Sequence, residues 1–144
     1  MMADPLARFV QAQAGGVYER ALGELRAGRK RTHWMWFVFP QLEALGRSAT
    51  ARLYGLSGRA EAEAYLAHPL LGPRLLACVD ATLALDPAPS ARALFGSPDD
   101  LKYRSCLTLF GEACDYAVPG FDAALERFYG GEGDPLTLRL LADS

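Results

Sequence analysis

An all-α fold follows from three features of this 144-residue chain. Apolar residues recur at helical spacing in one segment after another, helix-start pairs such as Asp4-Pro5, Ser97-Pro98 and Asp134-Pro135 punctuate it, and only one stretch is apolar enough to compete as a buried strand. The expectation is an irregular compact bundle of about seven or eight short helices forming one domain over residues 1–144.

Aspartate can cap free N–H groups and proline fits a first helical position, so Asp4-Pro5 opens the first element, with Leu6, Phe9 and Val10 on one face. Gly15-Gly16 breaks or kinks it. Tyr18, Ala21, Leu22 and Leu25 then keep the helical period as far as Gly28. The run from Thr32 to Gln41 is apolar on every face, and periodicity alone leaves strand and helix open. An isolated strand would leave its backbone donors unmatched, which favours a short helix ended by Pro40.

Short helices are expected from Ser48 to Tyr54 and from a Ser57-Gly58 cap to His68, the latter turning Ala62, Tyr65 and Leu66 inward. After Pro69, Leu71, Leu75, Cys78, Val79, Thr82 and Leu83 mark a longer helix, stopped by the Asp86-Pro87-Ala88-Pro89 loop. Ser90 caps a turn that ends at Gly96. The sharpest start is Ser97-Pro98-Asp99-Asp100: a capping hydroxyl, a proline at the first position and two carboxylates at the positive end of the helix dipole. Tyr103, Cys106, Leu107 and Phe110 form its apolar stripe. Phe121, Ala124, Leu125 and Phe128 repeat the pattern before Gly130-Gly131, and Asp134-Pro135 starts a last helix carrying Leu138 and Leu141.

Composition narrows the function. Fifteen basic and 17 acidic residues give a net charge of -2, so there is no general field for a nucleic-acid backbone and no nucleic-acid partner is expected. Three cysteines without a CxxC pair point to neither a disulfide framework nor a zinc ribbon, which fits a reducing, cytoplasmic location. The N-terminus lacks the basic head and unbroken apolar run of an export signal, and the apolar stretch Trp34 to Phe39 falls far short of the roughly 20 residues that cross a bilayer. His33 and His68 have no metal-ligand spacing, and no phosphate-cradling glycine motif follows a strand; no metal or cofactor is expected.

Two segments carry candidate chemistry. His33, between Arg29-Lys30-Arg31 and two tryptophans, has the type and setting of a general acid or base, although a ring that merely bonds the backbone at a helix start would look the same. Trp34 and Trp36 diverge by about 200° on a helix, so at least one belongs to the core while the other is free to face a flat ligand. On the later helix, Lys102, Arg104, Ser105 and Thr108 lie opposite the apolar stripe; they suit a phosphate or carboxylate, or simply a solvated face. The basic run Arg26, Arg29, Lys30, Arg31 could steer an anion toward His33, and a helix C-terminus accounts for it equally well. Cys106, within an apolar stripe, reads as an inert core thiol.

Taken together, GRKRTHWMWFVFPQLEALGRS, EAEAYLAHPLLGPRLL, FGSPDDLKYRSCLTLF and ERFYGG resemble an uncharacterised bacterial domain family often labelled calpastatin, over a span from about Asp4 to Leu141. The label carries no mechanism, because the inhibitor of that name is a disordered, repetitive chain and this one is neither. The resemblance implies a small all-α domain of unknown function. It places the family's hallmark residues at His33, Trp34, Trp36, Pro40 and Gln41, and at Asp100, Lys102, Ser105, Thr108 and Phe110. Members commonly carry a second serine where this chain has Cys106, which implies a packing role there.

The leading expectation is therefore a pocket between the two segments that binds or processes an anionic, nucleotide-like metabolite. His33 would be its acid or base, Trp36 would stack the planar part, Gln41 would orient it, and Lys102, Arg104 and Ser105 would hold the anion. The rival is a non-enzymatic module that meets a protein partner through exposed aromatic and basic residues, which predicts a broad apolar patch instead of a pocket. A third reading has the hallmark residues only specifying the fold, with both tryptophans and His33 fully buried.

Overall fold

The computed structural model describes residues 4–143, and among them the chain forms ten α-helices, one 3₁₀ turn and no strand. Leu6 precedes α1 (Ala7–Ala12); Asp4 Oδ1 accepts from the Leu6 N–H at 3.0 Å, so the Asp4-Pro5 pair makes the turn before the helix and not its first residues. Gly15 and Gly16, with φ of 67° and 88°, then separate α1 from α2 (Val17–Arg26) completely, a path that left-handed glycines allow at little cost. The apolar run becomes a single helical turn, α3 (Met35–Val38), ended before Pro40.

A 3₁₀ turn at Glu43–Leu45 leads to α4 (Ala49–Leu53), where Ser48 Oγ accepts from the Ala51 N–H as its cap. Next comes α5 (Arg59–Ala67), whose N-cap is Gly58; the Ser57 hydroxyl makes no cap, and Glu61 reaches back to the Ser57 N–H instead. His68 Nδ1 accepts from the N–H groups of Leu70 and Leu71 and so opens α6 (Leu71–Leu83). Ser90 caps α7 (Ala91–Phe95) as its spacing requires.

The start of α8 (Asp99–Ala113) departs from expectation: Pro98 is the N-cap and Ser97 contributes no side-chain bond. The Gly96 carbonyl already accepts from the Asp100 N–H, and the Pro98 carbonyl from Leu101 and Lys102, so backbone carbonyls meet these three donors of the first turn. The two aspartates do occupy that turn. The chain ends with α9 (Pro119–Tyr129), closed by a left-handed Gly130, and α10 (Pro135–Ala142), capped by Asp134.

Helix α8 is the axis of the molecule, packed against α5, α7, α9 and α10, while α6 packs on α2, α5 and α9. That position corrects a second expectation. Ser105 and Thr108 do not lie on a solvated face: both are buried, as is every residue from Ser105 to Gly111. Thr108 is held at both ends, donating to the Arg104 carbonyl and accepting the Asp134 N–H at 2.8 Å, which fastens α10 onto α8. The core beside α8 is aromatic, with Tyr103 between Phe39 and Phe95 at ring distances of 4.6 Å and its hydroxyl 2.7 Å from Thr82 Oγ1. The stripes of α9 and α10 bury Phe121, Ala124, Leu125 and Leu141, whereas Leu138 stays exposed.

Buried Gln13 joins distant parts of this core. Its Nε2 donates to the Phe37 carbonyl at 2.7 Å and to the Tyr65 hydroxyl at 3.2 Å, tying α3 to α1 and α5. No helix among the described residues is long and apolar enough to cross a membrane.

Candidate functional site

Trp34 and Trp36 separate as their spacing demands. Trp34 is 1% exposed, and its indole N–H donates to Glu24 Oε1 at 2.9 Å. The same carboxylate accepts from the Arg31 and Thr32 N–H groups and from Thr32 Oγ1, four donors in all. Burial pushes the Glu24 carboxyl up, but these hydrogen bonds outweigh it and bring it down to about 2. With Trp34, Met35 and Val38 turned into the core, Trp36 is left half-buried on the outer side of its one-turn helix.

Lys102, reaching from the first turn of α8, places its ammonium 3.8 Å from the centre of the Trp36 ring. Its Nζ is also 3.0 Å from Asp99 Oδ1, and Lys30 Nζ is 2.9 Å from the other oxygen of the same carboxylate. Burial alone would raise the Asp99 carboxyl; the hydrogen bonds and charges of the two lysines prevail and hold it below its ordinary value.

Beside this pair opens a cleft of about 660 Å³, with Trp36, Gln41, Lys102 and Ser105 all on its walls. Residues of both candidate segments thus meet around one space. Apolar walls come from Leu45, Ala51, Pro98, Leu101 and Leu136, and Arg47, Ser48 and Asp134 complete it. Leu101 and Leu136 are 59% and 47% exposed at the rim. A second depression, of about 100 Å³, lies across the Trp36–Lys102 pair and is lined by Lys30, His33, Trp34, Met35 and Asp99 as well.

Gln41 is presented to the cleft by a short backbone device. Its carbonyl accepts the Leu56 N–H at 2.9 Å and the Leu56 carbonyl accepts the Glu43 N–H at 2.8 Å, a one-step parallel bridge between Leu42 and Leu56. Gly55 makes this approach feasible, because a Cβ there would lie 2.3 Å from Glu43 Cα. Gln41 is only 7% exposed, yet its side-chain amide has no hydrogen-bond partner among the described residues, and neither amide atom is sealed from solvent.

Two expected site residues, His33 and Arg104, do not line the cleft. His33 is exposed and lines the smaller depression. Arg104, two positions from Lys102, points to the other side of α8, where its Nε donates to the Glu132 carbonyl at 2.9 Å and its guanidinium sits 5.9 Å from the Tyr129 ring. Ser105 reaches the cleft, but its hydroxyl donates to the Leu101 carbonyl at 3.2 Å and has only acceptor capacity left. Glu24, Arg47 and Ser48 escaped sequence reasoning as contributors. Glu24 binds groups seven to ten positions away, farther than a helix-capping bond reaches, and Arg47 and Ser48 close the first resemblance segment without being among its hallmark residues. Among the described residues no group of three or more His, Cys, Asp or Glu side chains is placed to hold a metal ion.

With this geometry in view, the comparisons with known proteins are brief. No functionally curated protein matches the chain. Its structure is similar to that of the conserved hypothetical protein Rv1873 from Mycobacterium tuberculosis, solved by crystallography at 1.38 Å, with 53% sequence identity, a TM-score of 0.92, and coverage of 96% of this chain and 99% of that one. A family model described as a protein of unknown function, DUF1810, matches residues 3–141, and the chain belongs to that family.

Proposed function

We propose that the cleft between α3 and the start of α8 binds a small anionic molecule with a flat, nucleotide-like part. The observation that carries this reading is Gln41: its side-chain amide makes no hydrogen bond among the described residues and stays reachable from the cleft, so its donors and acceptor are free for a ligand. A ligand seated in the cleft would replace water on that amide with directed hydrogen bonds. The cleft's size and its largely apolar walls with a few convergent polar groups are those of small-molecule sites. In this reading Trp36 borders the flat part, Gln41 orients it, and Lys102 and Ser105 line the wall beside it. Proton transfer by His33 would require a ligand that extends over the Trp36–Lys102 pair into the second depression.

The half-buried Trp36 and the exposed His33 also weigh against hallmark residues that serve the fold alone. The exposed leucines Leu101 and Leu136 at the rim, with Leu53 and Leu138 elsewhere, favour a protein partner. A thermal-shift screen with nucleotides, nucleotide sugars and phosphorylated metabolites distinguishes these readings. A compound that raises Tm in the wild type and not in folded Gln41→Leu supports the cleft; a set of compounds that leaves the wild-type Tm unchanged overturns it.

A further inference from the structure

The polar groups of the cleft divide into committed and uncommitted ones. Lys102 is already committed, sharing the Asp99 carboxylate with Lys30 and covering one face of Trp36. Arg47 lines the same cleft and has neither an ion pair nor a hydrogen bond among the described residues. Next to it, Ser48 Oγ accepts from the Ala51 N–H, which leaves its own hydroxyl proton free to donate. The adjacent Arg47 and Ser48 therefore bring uncommitted donors to the cleft. The same cleft also carries negative charge: Asp134 lines it, its Oδ2 accepting from the Thr137 N–H at 2.9 Å and from the Thr137 hydroxyl.

Resting on the reading of the cleft as a small-molecule site, we infer that its ligand is a single-headed anion, with one carboxylate or one phosphate group bound by Arg47 and Ser48 and a flat ring whose amide-like edge pairs with Gln41. An arginine fork matches either head group in two parallel hydrogen bonds. The Gln41 amide offers donors and an acceptor side by side, the complement of a lactam edge. Arg47, the one uncommitted cation among the described residues that line the cleft, and a carboxylate on the same cleft suit a single head group; further phosphates would add charge beside Asp134 without another such cation to offset the repulsion.

The test uses four probes sharing one ring: uracil, orotate, uridine monophosphate and uridine triphosphate. Binding is followed by titration of the Trp36 indole and Gln41 side-chain NMR signals. Orotate and uridine monophosphate should bind at least about tenfold more tightly than uracil, the return from one charge-assisted pair, and the triphosphate no more tightly than the monophosphate. Arg47→Ala should abolish the gain from the head group, so that orotate and uridine monophosphate bind this variant no more tightly than uracil binds it. If the triphosphate binds tenfold more tightly than the monophosphate, or Arg47→Ala keeps the gain, the assignment of a single head group to Arg47 is overturned while the cleft stands. If no probe moves either signal at millimolar concentration, the reading of the cleft falls and this inference with it.

Discussion

The ammonium of Lys102 stands 3.8 Å from the centre of the Trp36 indole ring. These residues come from segments separated by more than sixty positions, one on a single helical turn and the other at the head of the central helix. Their contact holds the wall common to the two depressions. A double-mutant cycle of Lys102→Met and Trp36→Leu, read by urea unfolding, should give a coupling of about 0.5–2 kcal/mol. A coupling of zero would show that the contact does not join the segments energetically.

Glu24 anchors the first segment through four hydrogen bonds, so Glu24→Gln should cost about 2 kcal/mol at neutral pH. Its carboxyl stands at about 2 in the folded protein against an ordinary value of 4.5. A depressed carboxyl contributes stability that is fully present above the unfolded value and lost as pH falls through the folded one. The gap between wild type and Glu24→Gln should thus be constant above about pH 4.5 and narrow toward pH 2, by about 1–2 kcal/mol once solvent screening at this partly open site is allowed for. Denaturant midpoints taken every half unit of pH would reveal a gap that ignores pH, and that result would refute the anchoring role.

Gly55→Ala should destabilise the protein by about 1–3 kcal/mol, because the new methyl group must push against the backbone of Glu43. The same substitution should weaken any ligand held by Gln41, since the Leu42–Leu56 bridge positions that residue. Unchanged stability would mean that the bridge yields freely.

The three thiols should separate in a titration with a disulfide reagent at pH 8. Burial pushes Cys78 up to about 12 and Cys106 well above its ordinary value, whereas Cys114 is half-buried. One thiol should react in the native protein and the other two only at the rate of unfolding. Rapid reaction of two or three would contradict the packed core around α8.

Much of the fold was legible in the sequence because its signals are local. Ser48, Ser90 and Asp134 cap helices as their spacing requires, each through a hydrogen bond three residues long, and Gly15, Gly16, Gly28 and Gly130 break the chain where positive φ is needed. Ser97 failed as a cap because backbone carbonyls had already taken the donors it would have served. The expected seven or eight helices became ten since one-turn and two-turn helices such as α3 and α4 carry too few residues to display a period.

The candidate site was legible only in part. Trp36, Gln41, Lys102 and Ser105 meet in one cleft, but Arg104 turns away, and nothing in the sequence marked Glu24 or Arg47. Helical period decides which residues share a face and does not decide which face meets another element. Ser105 and Thr108, polar and opposite the apolar stripe, look solvated until α10 is seen lying over them.

Local rules, acting over about four residues, were enough to establish an all-α chain with its caps, breaks and buried stripes. The meeting of Trp36 with Lys102, the grip of Glu24 on Trp34 and the unpartnered amide of Gln41 arise from contacts between segments far apart in sequence. Those contacts depend on how the helices pack on one another at once, with α5, α7, α9 and α10 against α8, a collective balance of burial and hydrogen bonding that no single segment encodes.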